Sequence, residues 1–565
     1  VWTVRERDMN TNEVIVDNDD GLPTYAETGS WATSGSTGYN GGTYNYINSE
    51  TAETGTAIYR PDIPESGYYW VSVQYRNGAN RPADTKYIVN HAGGQSAVSV
   101  NQEVHGLTWV YIGQFYFEAG TAGNVVLSNE SSETGQAVIA DAVRFGGGMG
   151  TELDCGYPSE GTSGRPRFEE AARYYAPYQG YPNCVGDVTT RPLYSEWELA
   201  KGTTEEQNNA CYLAWHTNAG GGQGTSSFIH NTAPTTNSDL LQDFVHGELV
   251  DDIQSCWDSG WTDRGQKTAN FGELRELSTM PGVLLEVAFH DLSADATQLT
   301  TPDFRELAAR AIYQGITKYF ANQDGVTPQL LPEPPTHIAA KNDGNGNLTV
   351  SWQAPITECG VGTTPTDYKV YMSTHGKGFA DGVAASGNSY TFSNLQAGTT
   401  YYFKVSATNE GGESFPTATV AARTPQSANN GLHYLIVDGF DRLDRSSAVM
   451  QYESAALGTV RRLFLEKMNS FDYAVEHAKG LESCNCIYFD GATNEAVIDI
   501  NVSLLDYDGV DWYLGEESTI DRTFDYTEQI LIETYLDNGG HLIVSGAEIG
   551  WDIGRSSGGN SSVDF

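Results

Sequence analysis

Residues 211–222 read CYLAWHTNAGGG, and residues 281–291 read PGVLLEVAFHD. Each stretch contains a short apolar run that leads to one polar residue, His216 in the first and Glu286 in the second. Short apolar runs bounded by Gly or Pro predict buried strands, and chemistry gathers at the carboxyl ends of strands in open α/β sheets. Histidine is the commonest metal ligand and a carboxylate is a frequent general base, so the pair indicates metal-assisted hydrolysis. A lone histidine at a strand end is also often structural.

Three motifs around these residues can be compared with a known family. Residues 214–219 read AWHTNA, residues 285–289 read LEVAF, and residues 273–281 read ELRELSTMP. They resemble, in order, the Ser-Ile-His-x-Asn-Ala, Val-Glu-x-Gly-Phe and Leu-Arg…Met-Pro segments of the zinc-dependent N-acetylmuramoyl-L-alanine amidases of bacterial cell-wall turnover. Ala288 stands where that family has Gly.

The resemblance implies a role for each matching residue. His216 would bind zinc, Glu286 would be the catalytic base, and Asn218 and Arg275 would bind substrate. Zinc would polarise the scissile carbonyl, and Glu286 would pass a proton from water to the leaving amine. His290, four residues after Glu286, is expected to support the site rather than to bind metal.

The family's first motif, Asp-Pro-Gly-His-Gly-Gly, does not occur in this sequence. Residues 1–8, VWTVRERD, are similar to the family's second strand and its Thr-Arg-x-x-Asp sequel, with Val4 in place of Thr. We therefore expect the chain to open inside the catalytic domain, with the first zinc ligands upstream of Val1. Zinc in this chain is then expected to be absent or incompletely coordinated, because one histidine cannot make a tetrahedral site.

Residues 18–148 follow a different pattern of short alternating strands separated by Gly, Asn and Pro turns, which predicts a β-sandwich or jelly roll. Residues 67–73, GYYWVSV, and 140–145, ADAVRF, resemble the golvesin C-terminal or xanthan-lyase-type carbohydrate-binding domain. This domain is expected to be inserted between two segments of the amidase domain, residues 1–17 and 149–325. Residues 2–6 should then share a sheet with residues 212–215.

Tryptophans of the inserted domain are candidates for contact with sugar rings. Trp31, Trp70 and Trp109 lie in or near its predicted strands, where an aromatic side chain is more often part of the core. Sugar stacking and core packing both remain open for each of them.

The remaining chain predicts two further domains. After a Pro-rich linker at 326–335, residues 336–424 resemble a fibronectin type III domain, with an early-strand Trp352 and a tyrosine-corner pattern ending at Tyr401. A second linker at 425–431 leads to residues 432–565, where strands and helices alternate and predict a parallel sheet. This last domain resembles glutamine-amidotransferase-like or flavodoxin-like accessory domains and is expected to be truncated.

Composition excludes several classes of function. Asp and Glu total 73 against 31 Lys and Arg, which gives a formal net charge of −42. Such a surface repels nucleic acids and anionic membranes, and no apolar run reaches the roughly 18 residues of a membrane span. The many Gly and Tyr residues favour β-rich extracellular modules, and Cys155 and Cys184 are the best candidates for a disulfide.

The sequence thus predicts a multidomain protein in which a β-sandwich interrupts an amidase-type α/β sheet, followed by a fibronectin sandwich and an α/β domain. The favoured function is a secreted, zinc-dependent peptidoglycan hydrolase that cleaves the amide between N-acetylmuramic acid and L-alanine. The expected partner is peptidoglycan or another cell-surface glycan. One alternative is an inactive cell-surface adhesive or structural protein built on an amidase fold. The other is part of a polysaccharide-degrading enzyme.

Overall fold

The computed structural model describes residues 12–147, 171–183, 185–356, 363–427, 431–484, 486–517 and 522–554. The chain divides into two compact units, Val1–Pro328 and Gln329–Phe565. Residues 2–6, Cys155 and Cys184 lie outside the described residues, so the predicted strand pairing and the predicted disulfide stay predictions. Cys484 and Cys486 form a disulfide. No helix in the described ranges is long and apolar enough to cross a membrane.

The first unit begins with an antiparallel β-sandwich. The strands are β1 (Val14–Asp17), β2 (Tyr25–Thr28), β3 (Ala32–Thr33), β4 (Asn45–Asn48), β5 (Thr56–Tyr59), β6 (Gly67–Gln74), β7 (Thr85–His91), β8 (Gly94–Val100), β9 (Val110–Phe117), β10 (Asn124–Ser128), β11 (Ala137–Ala140) and β12 (Ala142–Phe145). The sheets have the strand orders β1-β12-β6-β9, β2-β5-β10-β7-β8 and β11-β4-β3. Tyr69, Val71 and Val73 alternate along β6 and are fully buried in the sandwich core, while Trp70 and Ser72 on the other face are also largely buried.

The rest of the first unit is an α/β domain built on the sheet β13-β16-β14-β15. Strand β16 is parallel to β13 and antiparallel to β14, while β14 and β15 are parallel. The elements are α1 (Ala172–Tyr178), α2 (Asp187–Leu199), α3 (Thr204–Asn208), β13 (Tyr212–Asn218), β14 (Thr225–His230), α4 (Ser238–Cys256), β15 (Asp263–Ala269), α5 (Gly272–Arg275), β16 (Gly282–Phe289), α6 (Ser293–Leu299) and α7 (Pro302–Asp324).

The two faces of this sheet carry different side chains. Val283, Leu285 and Val287 of β16 pack with α4 and α7 in one apolar core. Leu284 faces the other way and packs with Tyr212 and with residues of α5 in a smaller core. Because side chains alternate along a strand, Glu286 shares the face of Leu284. On this second face the smaller apolar core, which contains Leu284, therefore lies next to the Glu286 carboxylate.

The second unit begins with the fibronectin-like sandwich. Gln396 N–H donates a hydrogen bond of 3.0 Å to the Tyr401 hydroxyl, which is the contact that the tyrosine-corner pattern predicts. Trp352 and Tyr368 are buried in its core. The strands are β17 (Thr336–Asn342), β18 (Leu348–Gln353), β19 (Asp367–Ser373), β20 (Val383–Ala385), β21 (Ser389–Phe392), β22 (Thr400–Asn409), β23 (Gly412–Glu413) and β24 (Val420–Arg423).

An α/β region follows, with the parallel strand order β28-β25-β29-β30. This confirms the predicted parallel sheet, while the flavodoxin-like or amidotransferase-like identity of the domain stays a prediction. The elements are β25 (Leu432–Asp438), β26 (Val449–Ser454), β27 (Gly458–Arg462), α8 (Leu465–Met468), α9 (Ala474–Glu482), β28 (Ile487–Thr493), α10 (Asn494–Ile498), β29 (Gly509–Gly515), α11 (Tyr526–Asp537), β30 (His541–Gly546) and α12 (Ile549–Gly554).

The fibronectin-like and α/β regions share one sheet. One edge of β28 pairs with β25, and the other edge pairs with β17 and, at Phe489, with Arg423 of β24. A Cβ atom on Gly491 of β28 would lie 2.4 Å from the Ala421 carbonyl oxygen, so only glycine permits this close approach. The predicted linker at 425–431 thus joins two regions whose strands pair directly.

Arg144 of β12 fastens the β-sandwich to the α/β domain of the first unit. Its side chain is 1% exposed, and its guanidinium lies 4.5 Å from the Trp109 ring centroid and 3.9 Å from that of Tyr178 in α1. It also donates hydrogen bonds to the Tyr178 carbonyl and to Gln179 Oε1. Thr108 adds a 2.8 Å hydrogen bond to the Gln179 carbonyl. A buried cation thus joins the two domains.

We expect Arg144→Met to destabilise the first unit by about 2–3 kcal/mol, because it leaves two buried acceptors without their charged donor. Calorimetric unfolding measures the loss. Arg60→Met is the matched control, since Arg60 is half-buried and its hydrogen bond to the Pro23 carbonyl is exposed to solvent. Equal losses in the two variants would contradict the assigned role of Arg144.

Candidate active site

His216 and Glu286 lie side by side on neighbouring parallel strands. Their Cα atoms are register partners in the β13–β16 pair, and on the other side of β16 Glu286 is paired with Ser226 of β14. Partners in register project to the same face of a sheet. The three side chains therefore form a row across the face that the small apolar core covers in part.

Glu273 of α5 contacts this row at His216. Its carboxylate is buried at 6% exposure, and its Oε1 lies 3.4 Å from His216 Nε2. Arg191 of α2 holds the same Oε1 through Nη1 at 3.0 Å and is itself held by Asp187 Oδ2 at 2.5 Å. The helix is fixed by buried Leu274 and by the Phe271 ring, 5.1 Å from that of Phe228.

Sequence reasoning missed Glu273 and Arg191. Glu273 stands in the segment ELREL that resembles the amidases, but from this segment the resemblance predicts Arg275 as the functional residue. The available signal was helical spacing, because Glu273 and Leu274 turn inward in α5 while Arg275 turns to solvent. Arg191 could be found only through its contact with Glu273, 82 residues away.

The electrostatics of the row favour a neutral imidazole and a basic carboxylate. Burial lowers the pKa of His216, the Glu273 charge raises it, and the Arg191 charge lowers it. Burial raises the pKa of Glu286, the His290 charge lowers it, and the Glu273 charge raises it. A neutral imidazole can ligate a metal, and a carboxylate with a raised pKa is a stronger base.

One oxygen of Glu286 has no hydrogen-bond partner among the residues that the structure describes. No hydrogen bond from the described residues reaches its buried Oε2 atom. A buried carboxylate oxygen is costly to leave unsatisfied. This oxygen is therefore free to accept a proton or a hydrogen bond from a bound molecule.

The other predicted site residues lie around this row but do not join it. Asn218 Oδ1 accepts from Ala219 N–H, and Arg275 is exposed and bonds to Asn270 and Glu276. His290 Nδ1 lies 3.0 Å from Thr217 Oγ1. Substrate binding by Asn218 and Arg275 stays a prediction.

The tryptophans of the β-sandwich differ in their access to ligands. Trp70 is 7% exposed and its ring lies 4.4 Å from the Tyr111 ring, which favours packing, and sugar stacking by Trp70 stays a prediction. Trp109 packs against Arg144 and Tyr39. Trp31 is half-buried and donates to the Thr28 carbonyl, and for it sugar stacking stays a prediction.

The fit to zinc is partial. Among the described residues, no group of three His, Cys, Asp or Glu side chains is placed to hold a metal ion. His216 Nε2 and Glu273 Oε1 nevertheless lie 3.4 Å apart, the separation of two ligands in a tetrahedral site with bonds of roughly 2.1 Å. The described residues thus offer a pair of donors, and a complete site needs further ligands.

Comparison with known protein families identifies three domains along the chain. Residues 14–147 match the golvesin C-terminal domain, residues 189–318 match N-acetylmuramoyl-L-alanine amidase, and residues 333–423 match the fibronectin type III domain. These matches confirm the three resemblances drawn from the sequence. The row of His216, Glu286 and Ser226 lies within the amidase match, and so does Glu273.

Individual relatives agree with this assignment. The chain is 39% identical over 111 residues to the sporulation-specific N-acetylmuramoyl-L-alanine amidase of Bacillus subtilis, covering 19% of this chain and 40% of that protein. It is 33% identical over 135 residues to xanthan lyase of a Bacillus species, covering 23% of this chain and 14% of the lyase. The catalytic domain of the amidase CwlV of Bacillus (Paenibacillus) polymyxa is 25% identical over 25% of this chain and 69% of that one, with a TM-score of 0.20. The chain thus spans less than half the length of the B. subtilis amidase and of xanthan lyase.

We expect Glu273→Gln to lower the pKa of His216 further in zinc-free protein, because burial then acts without the opposing negative charge. An NMR titration of the imidazole measures this change. Glu276→Gln, three residues along the chain and paired with Arg275, should leave the His216 titration unchanged. A shift of equal size in both variants would refute the contact between Glu273 and His216.

Proposed function

We propose that this protein hydrolyses the amide bond between N-acetylmuramic acid and L-alanine in peptidoglycan. The observation that carries the proposal is the half-buried Glu286 carboxylate, which has an unpartnered buried oxygen and lies in register with His216. Both residues lie within the segment that matches the amidase family. Substrate, secretion and metal content are parts of this proposal.

Glu286 is the general base in the proposed reaction. Its unpartnered Oε2 accepts a proton from the attacking water, and the same carboxyl group then returns that proton to the leaving amine nitrogen. Burial raises its pKa, so it binds the proton more tightly than an exposed glutamate does. Ser226, its register partner on β14, is fully buried.

His216 and Glu273 are the described residues that would hold zinc, with the remaining ligands supplied from outside the described ranges. A bound zinc ion would act as a Lewis acid on the amide carbonyl. Arg191 keeps Glu273 in place and balances its charge, so that the carboxylate is held near His216 with or without the metal. Burial lowers the pKa of the His216 imidazole, so the ring can bind a metal at neutral pH without first losing a proton.

The other domains would bring the enzyme to its polymer. The chain contains a golvesin-type domain and is similar over 135 residues to a lyase named for the polysaccharide xanthan, and both findings support a glycan-binding role. The strongly negative net charge keeps the protein away from anionic membranes and nucleic acids. We propose that it works outside the cell or at the cell surface, where peptidoglycan is accessible.

We expect Glu286→Gln to reduce release of stem peptides from peptidoglycan by about 10²–10⁴-fold, the usual contribution of a general base. Gln has the same shape and removes the base, so zinc content, measured by elemental analysis, should not fall. Glu276→Gln is the control on the neighbouring segment and should retain activity. The assay uses zinc-loaded protein that includes any residues preceding Val1 in the full protein.

Two results would contradict the proposal. Full activity in Glu286→Gln would remove Glu286 from the reaction. No release of stem peptide by the zinc-loaded parent protein from any peptidoglycan would favour a surface scaffold that retains the amidase fold without its chemistry.

A further inference from the structure

A second group of buried oxygen atoms lies in the β-sandwich, far along the sequence from Glu286. The strand pairing brings the backbones of its residues close to one another. Asp17 at the end of β1 pairs with Ala142 of β12, and Asn45 of β4 pairs with Ala140 of β11. Asp141 is the residue between Ala140 and Ala142, so its two chain neighbours are the partners of Asn45 and Asp17.

Asn18, which follows β1, makes hydrogen bonds to Asp141 and to residues beside it. Its backbone N–H donates to the Asp141 carbonyl at 3.0 Å. Its side-chain Nδ2 donates to Thr43 Oγ1 at 3.0 Å and to Asp19 Oδ1 at 3.2 Å. Since a carboxylate cannot donate a hydrogen bond, the bond to Asp19 fixes which end of the Asn18 amide is nitrogen.

Three oxygens of this group lack a hydrogen-bond donor. They are Asp141 Oδ2, Asn18 Oδ1 and Asn45 Oδ1, none of which is reached by a donor in the described part of the chain. Asp141 is 1% exposed and Asn18 is 6% exposed. Asn45 Nδ2 donates to Glu27 Oε1 at 2.7 Å, which again fixes the amide and leaves its oxygen unused.

The charges of the group are unbalanced as well. Burial raises the pKa of Asp141 to about 7; the Tyr39 N–H bond lowers it, and the Asp17 and Asp19 charges raise it. Burial likewise raises the pKa of Asp17 to about 6. No Lys, Arg or His within the described ranges forms an ion pair with Asp17 or Asp141. Buried acceptors without donors, together with carboxylates without a cation, are groups that a positively charged ligand would satisfy.

We propose that Asp17, Asn18, Asn45 and Asp141 form a Ca²⁺ site. Ca²⁺ prefers carboxylate, amide and carbonyl oxygens in flexible geometry, whereas Zn²⁺ prefers nitrogen and sulfur donors. Amide oxygens supply part of the ligand set, because no three acidic, His or Cys side chains in the described ranges converge on one metal. The bound ion joins β1 to the β4 strand and to the β11–β12 connection. This site is independent of the proposed amidase chemistry.

The test is calorimetric titration of the full chain, stripped of metal, with CaCl₂ alone. We expect one Ca²⁺ to bind with a Kd below about 1 mM, in or below the range of extracellular modules. Asp141→Asn keeps the shape of the side chain and should weaken binding at least tenfold. Asp62→Asn removes an exposed aspartate from the same domain and should bind Ca²⁺ as the parent protein does.

Asn45→Ala and thermal unfolding guard against a folding defect in Asp141→Asn. At about 10 mM CaCl₂ the Tm of the parent protein should rise by a few degrees over its value in a chelator, because the ligand binds the folded state. Asn45→Ala should lose most of this rise, and MgCl₂ should not reproduce it. The proposal fails if the parent protein shows neither binding nor a Tm rise with Ca²⁺. It also fails if Asp141→Asn and Asn45→Ala both bind Ca²⁺ as tightly as Asp62→Asn.

Discussion

The parallel pairing of β13 with β16 is the constraint on which the candidate site depends. It sets His216 opposite Glu286, and a shift of one residue in either strand would send one of the two side chains to the other face. The register is held by the apolar residues between them. Val283, Leu285 and Val287 can reach the core with α4 and α7 only in this alignment. Apolar packing on one face of the sheet thus positions His216 and Glu286 on the other face.

Charge at four buried or half-buried residues described above is handled in three different ways. Arg144 is enclosed by aromatic rings and carbonyl acceptors, so its charge is satisfied within the protein. Glu273 is satisfied by Arg191 and is left close to His216. Glu286 and Asp141 each keep an oxygen without a partner from the described residues. The first arrangement gives a rigid joint, and the last gives an atom that a ligand can use.

The strands that carry the site could be predicted, because apolar runs ending at Gly and Pro boundaries decide their position locally. The runs before His216 and Glu286 are β13 and β16 in the structure. The ion pair of Arg191 with Glu273 could not be predicted, since it depends on how α2 and α5 cross and leaves no local pattern. The same holds for β14, whose antiparallel pairing with β16 brings Ser226 beside Glu286. The low exposure of Trp70 could not be predicted either, since the sequence pattern around a strand tryptophan is the same whether the ring faces solvent or the core.

The sheet shared through β28 changes how the second unit responds to mechanical tension. A flexible tether between the fibronectin-like and α/β regions would let each extend under load independently. Here a pull that separates them must shear the backbone hydrogen bonds of β17 with β28 and withdraw Arg423 from the carbonyls of Glu482, Cys484 and Ile487. The two regions of the second unit are therefore connected through paired backbone as well as through the chain that links them, and their separation is opposed by hydrogen bonds from both.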